Sequence, residues 1–179
     1  MKRSLFKFQH KRFIIRLLLI AFLTPTLLTA QTSIKGDIGV GGGISYGGIG
    51  AQLTYRPIET VGIFGSLGYN LDGVCYNLGV KLNFKSDKKI NPYLTGMYGY
   101  NTVLIIDAES METRTTYYGI STGLGTTFRL KEKSFLSFEV LLPIRPKVYK
   151  DAVDDLELVG FEIKDPLPVA VCIGYHIKF

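Results

Sequence analysis

The sequence predicts an all-β fold, an eight-stranded antiparallel up-and-down transmembrane β-barrel. Three observations carry that expectation. Apolar residues recur at every second position in eight segments, and turn residues separate those segments. The alternate positions hold mostly Gly, Ser, Thr and Asn rather than charges. Residues two apart on an extended strand share a face, so each segment has one apolar side and one small, polar side.

The N-terminal stretch is set apart from this pattern. Lys2, Arg3, Lys7, Lys11, Arg12 and Arg16 precede an apolar run from Leu17 to Leu23, followed by Thr29, Ala30 and Gln31. A basic region, a short apolar core and a small residue at the junction describe a secretory signal peptide over residues 1–30, cut between Ala30 and Gln31. The run is too short for a spanning helix, which needs about 20 residues. This segment holds 6 of the 21 basic residues and none of the 15 acidic ones, so residues 31–179 balance at 15 against 15. The high overall pI therefore belongs to the leader, and nucleic acid is excluded as an expected partner. Cys75 and Cys172, far apart, make no disulfide framework.

Residues 31–179 form one domain with strands expected at 36–46, 49–56, 61–70, 74–84, 92–101, 116–130, 134–142 and 168–179. Short connections at 56–60, 85–91 and 130–134 fall at one end. At the other, tight hairpins at Gly47-Gly48 and 71–73 accompany two long loops, 101–115 and 143–167. Short turns at one end and longer loops at the other are the layout of a small outer-membrane barrel. The strand at 92–101 sorts poorly, and Gly96 or Gly99 is a candidate bulge.

The two faces decide between a membrane barrel and a soluble, lipocalin-like carrier, because the two put their polar faces on opposite sides. A water-facing surface is roughly 25–35% charged. The polar parity here is Gly39, Gly41, Gly43 and Ser45 on the first strand, and Gly119, Ser121, Gly123, Gly125, Thr127 and Arg129 on the sixth. Small residues suit the lumen of an eight-stranded barrel, which only just admits side chains. The apolar parity includes Val40, Ile44, Leu53, Leu67, Leu78, Leu124 and Val140, and no charge interrupts it. Tyr46, Tyr69, Tyr76 and Tyr118 fall at its loop-rich end, and Tyr55, Phe84, Phe128 and Phe179 at the other. Two aromatic girdles are expected at membrane interfaces. Ten steps from Tyr118 to Phe128 at roughly 3.3 Å, tilted by about 40°, span roughly 25 Å, the height of an outer-membrane apolar band.

The terminal strand alternates to the last residue, with Ile173, Tyr175, Ile177 and Phe179 on one face. It resembles the C-terminal signal read by barrel-assembly machinery. With the leader, the eight strands and the girdles, residues 31–179 resemble the small outer-membrane β-barrel family of the OmpA/OmpX and porin-like kind. The resemblance implies residence in a Gram-negative outer membrane, with membrane lipid and the assembly machinery as partners, and a monomeric barrel. It implies a passive barrel, adhesin or envelope-stabilising role, or rarely an enzyme.

Lys81, Arg129, Glu139, His176 and Lys178 should form a lumen charge network, with Glu139 paired to Arg129, Lys81 or Lys178 because an unpaired buried carboxylate is costly. A hydrogen-bonded plug is preferred to an ion path. His176, the one His after the leader, lacks the signs of a triad, so no catalytic residue is assigned. The acidic residues Asp151, Asp154, Asp155, Glu157, Glu162 and Asp165 have no cation-loop spacing, and no metal or cofactor is expected. Residues 151–158 are expected to form a short helix capped by Asp151. The leading function is a plugged barrel with a binding or envelope-structural role through its outer loops and an unspecified extracellular ligand. A narrow porin-like channel is the alternative, ahead of a lipid-modifying enzyme and a soluble carrier.

Overall fold

Eight strands follow one another around a closed sheet, each antiparallel to its sequence neighbours, and the last pairs with the first. The computed structural model describes residues 35–84, 89–108, 111–160, 163 and 166–179. The expected leader and the Ala30/Gln31 junction lie outside these residues, as do Glu162 and Asp165. The strands are β1 (Gly36–Gly43), β2 (Gly48–Ile58), β3 (Val61–Tyr69), β4 (Val74–Asn83), β5 (Ile90–Ala108), β6 (Met111–Arg129), β7 (Ser134–Ile144) and β8 (Ala170–Lys178). One helix, α1 (Lys147–Leu158), stands between β7 and β8. Closure runs from Asp37 opposite Lys178 to Gly42 opposite Ile173, so no sheet edge is left open along β1.

Alternation sorts the side chains as a closed sheet requires. Val40, Leu67, Leu78, Leu124 and Val171 point outward and are exposed, while Gln52, Ser66, Asn77, Lys81, Ser121, Glu139 and His176 point inward and are buried. The interior takes bulky rings because glycines face them. A Cβ on Gly79 would lie 2.5 Å from the Phe64 ring, and one on Gly41 would lie 2.7 Å from the Tyr46 ring. Gly125 is matched in the same way to Tyr93, and Gly174 to Tyr46. Small against large is how an eight-stranded interior reaches close packing.

Four expectations need correction. The first strand stops at Gly43 rather than Tyr46, and Ile44–Tyr46 form a 3-10 turn that dips into the lumen. Tyr46 is therefore wholly buried rather than part of an outer girdle, and Ile44 packs against the interior cluster. Gly43, Gly47 and Gly48 have φ of 116°, 72° and 101°, backbone that only glycine adopts freely, and they let the chain turn in and out.

The stretch 101–115 is not a loop. β5 and β6 stay paired from Ile90 opposite Phe128 to Ala108 opposite Met111, a hairpin projecting past the barrel. Thr102, Val103, Ile105, Ile106, Thr113, Thr115 and Thr116 supply the β-branched residues that favour such pairing. The register shift lies between Tyr100 and Thr102, not at Gly96 or Gly99. Asn101 is the extra residue, and its amide donates to Ile120 O at 3.1 Å and Ser121 Oγ at 3.2 Å.

The helix begins at Lys147 with Pro146 as N-cap, four residues ahead of the expected Asp151. Tyr149, Ala152, Val153 and Leu156 repeat at helical spacing and pack on Leu104, Ile106 and Tyr117 of the hairpin. The carboxylates of Asp151, Asp154, Asp155 and Glu157 lie on exposed positions of α1. Arg145, between β7 and α1, donates to both the carbonyl and the side-chain oxygen of Asn101. Burial lowers the pKa of that guanidinium, which still remains charged at neutral pH.

Candidate functional site: a braced lumen and a basic mouth

Inward parity on β2, β4, β5 and β7 brings Gln52, Lys81, Tyr93 and Glu139 to one level of the lumen. Lys81 Nζ lies 2.9 Å from Glu139 Oε1 and donates to Gln52 Oε1 at 2.7 Å. The Tyr93 hydroxyl donates to the same Glu139 oxygen at 2.7 Å. The Lys81 ammonium also sits 4.9 Å from the Phe64 ring centroid and 5.2 Å from that of Tyr93. Ionic, hydrogen-bonding and cation–π contacts thus replace the water that both charges lose.

A second cluster joins β1, β2, β7, β8 and the inward turn. His176 Nδ1 lies 2.8 Å from Asp37 Oδ1, and its Nε2 lies 2.6 Å from the Tyr46 hydroxyl and 3.1 Å from Ser137 Oγ. Tyr46 and Ser137 are themselves 2.9 Å apart. In the neutral ring Nδ1 donates to Asp37 and Nε2 accepts, so one of the two hydroxyls donates to the imidazole. Arg56 forms an ion pair with the second carboxylate oxygen of Asp37.

Acid, imidazole and hydroxyl in that order is the sequence of a nucleophile triad. Here Asp37, Ser137 and His176 are each 1% exposed, and Tyr46 covers the hydroxyl. Buried in this way, the cluster ties β1, β7, β8 and the inward turn together by side-chain hydrogen bonds.

Of the five charged residues singled out from the sequence, Lys81, Glu139 and His176 lie in the lumen, the first two joined to each other and the third to Asp37. Arg129 and Lys178 belong to neither cluster. They line a cavity of about 400 Å³ at the end where the short turns gather, together with Arg56, Phe135 and Phe179. Phe135 forms the partition: its ring stacks on His176 at 4.8 Å, while Arg56 and Lys178 lie 5.9 Å and 5.6 Å from its centroid. Ile173, Tyr175 and Ile177 face outward on a strand paired with both β1 and β7, and Phe179 stands just beyond its end, exposed at the rim of the cavity.

Sequence reasoning missed Asp37, Tyr46, Gln52, Arg56, Tyr93 and Ser137. Parity contained the signal for most of them. Asp37 is two positions before Gly39, Gln52 and Arg56 flank Thr54 on one face, and Ser137 precedes Glu139 by two. Tyr93 was hidden because Met97, an apolar residue, shares its inward face.

The barrel is similar to the N-terminal β-barrel domain of Pseudomonas aeruginosa OprF, with a TM-score of 0.54 and 11% identity over 82% of this chain and 98% of that one. A designed transmembrane β-barrel aligns with a TM-score of 0.48 and 13% identity, over 82% and 94% of the two chains. Neisserial surface protein A aligns at 0.39 and 13%, over 82% and 96%. No protein-family model matches the sequence, and no curated protein matches it. The closed antiparallel order of β1 to β8, together with the likeness to the OprF domain, shows that the chain folds as a small, closed eight-stranded antiparallel β-barrel.

Proposed function

We propose that this chain is a monomeric outer-membrane barrel, exported by a leader over residues 1–30, with a plugged lumen and a binding or envelope-structural role carried by its outer elements. The observation that supports this is the sidedness of the sheet. The outward face is aliphatic and exposed between aromatic ends, while charged and polar groups are buried inside. A soluble carrier requires the reverse, an apolar interior for its ligand and a charged exterior. Lipid is the solvent that makes this exterior favourable.

In this reading the short-turn end faces the periplasm, and the β5–β6 hairpin with α1 packed on it stands on the outer side. That pair forms an ordered platform with its own small core around Leu104, Tyr149 and Val153. A platform of this kind is suited to presenting a binding surface. The terminal strand, with Ile173, Tyr175, Ile177 and Phe179, serves assembly.

Two measurements test the proposal. Expressed in a Gram-negative host, the protein should fractionate with the outer membrane and require detergent for release; release in buffer alone refutes the membrane location. In planar bilayers the purified barrel should give no stable openings, because Tyr46, Phe64, Tyr93, Lys81 and Glu139 fill the interior. Stable openings would replace the plugged reading with the narrow channel.

A further inference from the structure

The short-turn mouth is built by residues from seven of the eight strands, and its chemistry is one-sided. Four cationic side chains, Lys35, Arg56, Arg129 and Lys178, line the cavity of about 400 Å³, against the single acidic side chain of Glu59. Two of the four are already matched. Arg56 pairs with buried Asp37, and Lys35 approaches Glu59 at 3.8 Å on the rim. Arg129 and Lys178 form no ion pair among the described residues.

Lys178 and Arg56 nevertheless stand at the same Phe135 ring, at 5.6 Å and 5.9 Å. Like charges gathered over an apolar floor repel unless an anion lies between them. The Asn83 side chain also lines the cavity, and its buried Nδ2 has no hydrogen-bond partner among the described residues. The mouth therefore offers the ammonium of Lys178 and the guanidinium fork of Arg129, neither of them paired with an acidic side chain among the described residues.

We propose that this mouth is a binding site for a phosphate ester, held by Arg129 and Lys178 with donors from the strand ends. A tetrahedral phosphate presents several strong acceptor oxygens, which suit donors converging from different strands; the arginine fork matches two of them. The cavity is larger than a phosphate alone and has Phe84, Phe135 and Phe179 in its lining, so the ester's carbon portion has apolar surface to cover. The phosphate can come from a lipid headgroup or from a soluble ester.

The full-length protein, purified in a non-ionic detergent, is titrated calorimetrically with glycerol 3-phosphate and separately with dihexanoyl phosphatidylglycerol. Saturable one-to-one binding is expected, weakened about tenfold in R129Q or K178Q, further in R129Q/K178Q, and by added NaCl. Saturation by the soluble ester assigns the site to free phosphate esters, and saturation by the lipid alone assigns it to a headgroup. Failure of both to saturate, or wild-type affinity in the charge-removed variants, overturns the proposal. Heat-dependent gel migration establishes that each variant is folded, and either single variant gives the same reading if the double variant does not fold. Because binding is read in detergent, the result is independent of where the barrel resides in the cell.

Discussion

Lys81 on β4 and Glu139 on β7 meet across the interior of the barrel at 2.9 Å, with side-chain exposures of 7% and 1%. Neither charge retains much water, and the Gln52 and Tyr93 hydrogen bonds replace part of what each loses. Replacing one partner leaves the other buried and uncompensated. Lys81→Met or Glu139→Gln should lower unfolding free energy by about 3–5 kcal/mol, the cost of breaking a buried pair. The double variant K81M/E139L should recover most of that loss, since no charge is stranded. Urea unfolding from lipid vesicles, compared across the three variants, checks both statements.

Alternation made the sheet legible from the sequence because each outward residue, such as Val40, Leu78 or Leu124, obeys a local rule of period two. The turn at Ile44–Tyr46 breaks that rule for a non-local reason. Tyr46 enters the lumen because Gly41 and Gly174, the latter 128 positions away in the chain, leave room for its ring. The same holds for the β5–β6 hairpin, where the polar run Asn101-Thr102 looks like a loop until Asn101 is recognised as a bulge. Helix α1 was legible in its apolar spacing, but its start was obscured because Pro146 rather than Asp151 precedes its first turn. At the candidate site, parity distinguished inward charges from outward ones. It did not reveal height along the barrel, which separates Lys81 and Glu139 in the lumen from Arg129 and Lys178 at the mouth.

The fit of Tyr46 against Gly174 gives a test in which two changes compensate. A methyl on Gly174 would collide with the Tyr46 hydroxyl, and overpacking of this kind costs about 1–3 kcal/mol. Tyr46→Ala removes the obstacle, though it also forfeits the contacts to His176 and Ser137. Gly174→Ala should therefore be less destabilising in the Tyr46→Ala background than in wild type. A double-mutant cycle measured by denaturant unfolding reads the coupling directly.

Helix α1 packs on the hairpin through Tyr149, Val153 and Leu156, in a cluster separate from the lumen. Val153→Asp places a carboxylate into that contact and should detach the helix without unfolding the sheet. Limited proteolysis should then cut within 145–169 faster than in wild type, while heat-dependent gel migration of the barrel stays unchanged. Loss of the folded band instead would show that the platform and the barrel unfold together.

The outward face provides the test that separates lipid from water as its solvent. Leu124 is 63% exposed and stands near the middle of the stretch from Tyr118 to Phe128 on β6. In a membrane barrel, Leu124→Lys should cost about 2–4 kcal/mol, because a lysine at the bilayer midplane loses its hydration. At the turn-side end of the same strand, Phe128→Lys should bear a charge penalty of only about 0–1 kcal/mol, since the ammonium reaches the interface. A water-facing barrel makes the opposite demand: an exposed lysine at Leu124 would change stability by no more than about 0.5 kcal/mol, regardless of its height. Unfolding free energies of the two variants in lipid vesicles decide the matter through the depth dependence. A gradient along β6 is the signature of a hydrocarbon slab, and uniform small changes would leave the apolar face without its proposed solvent.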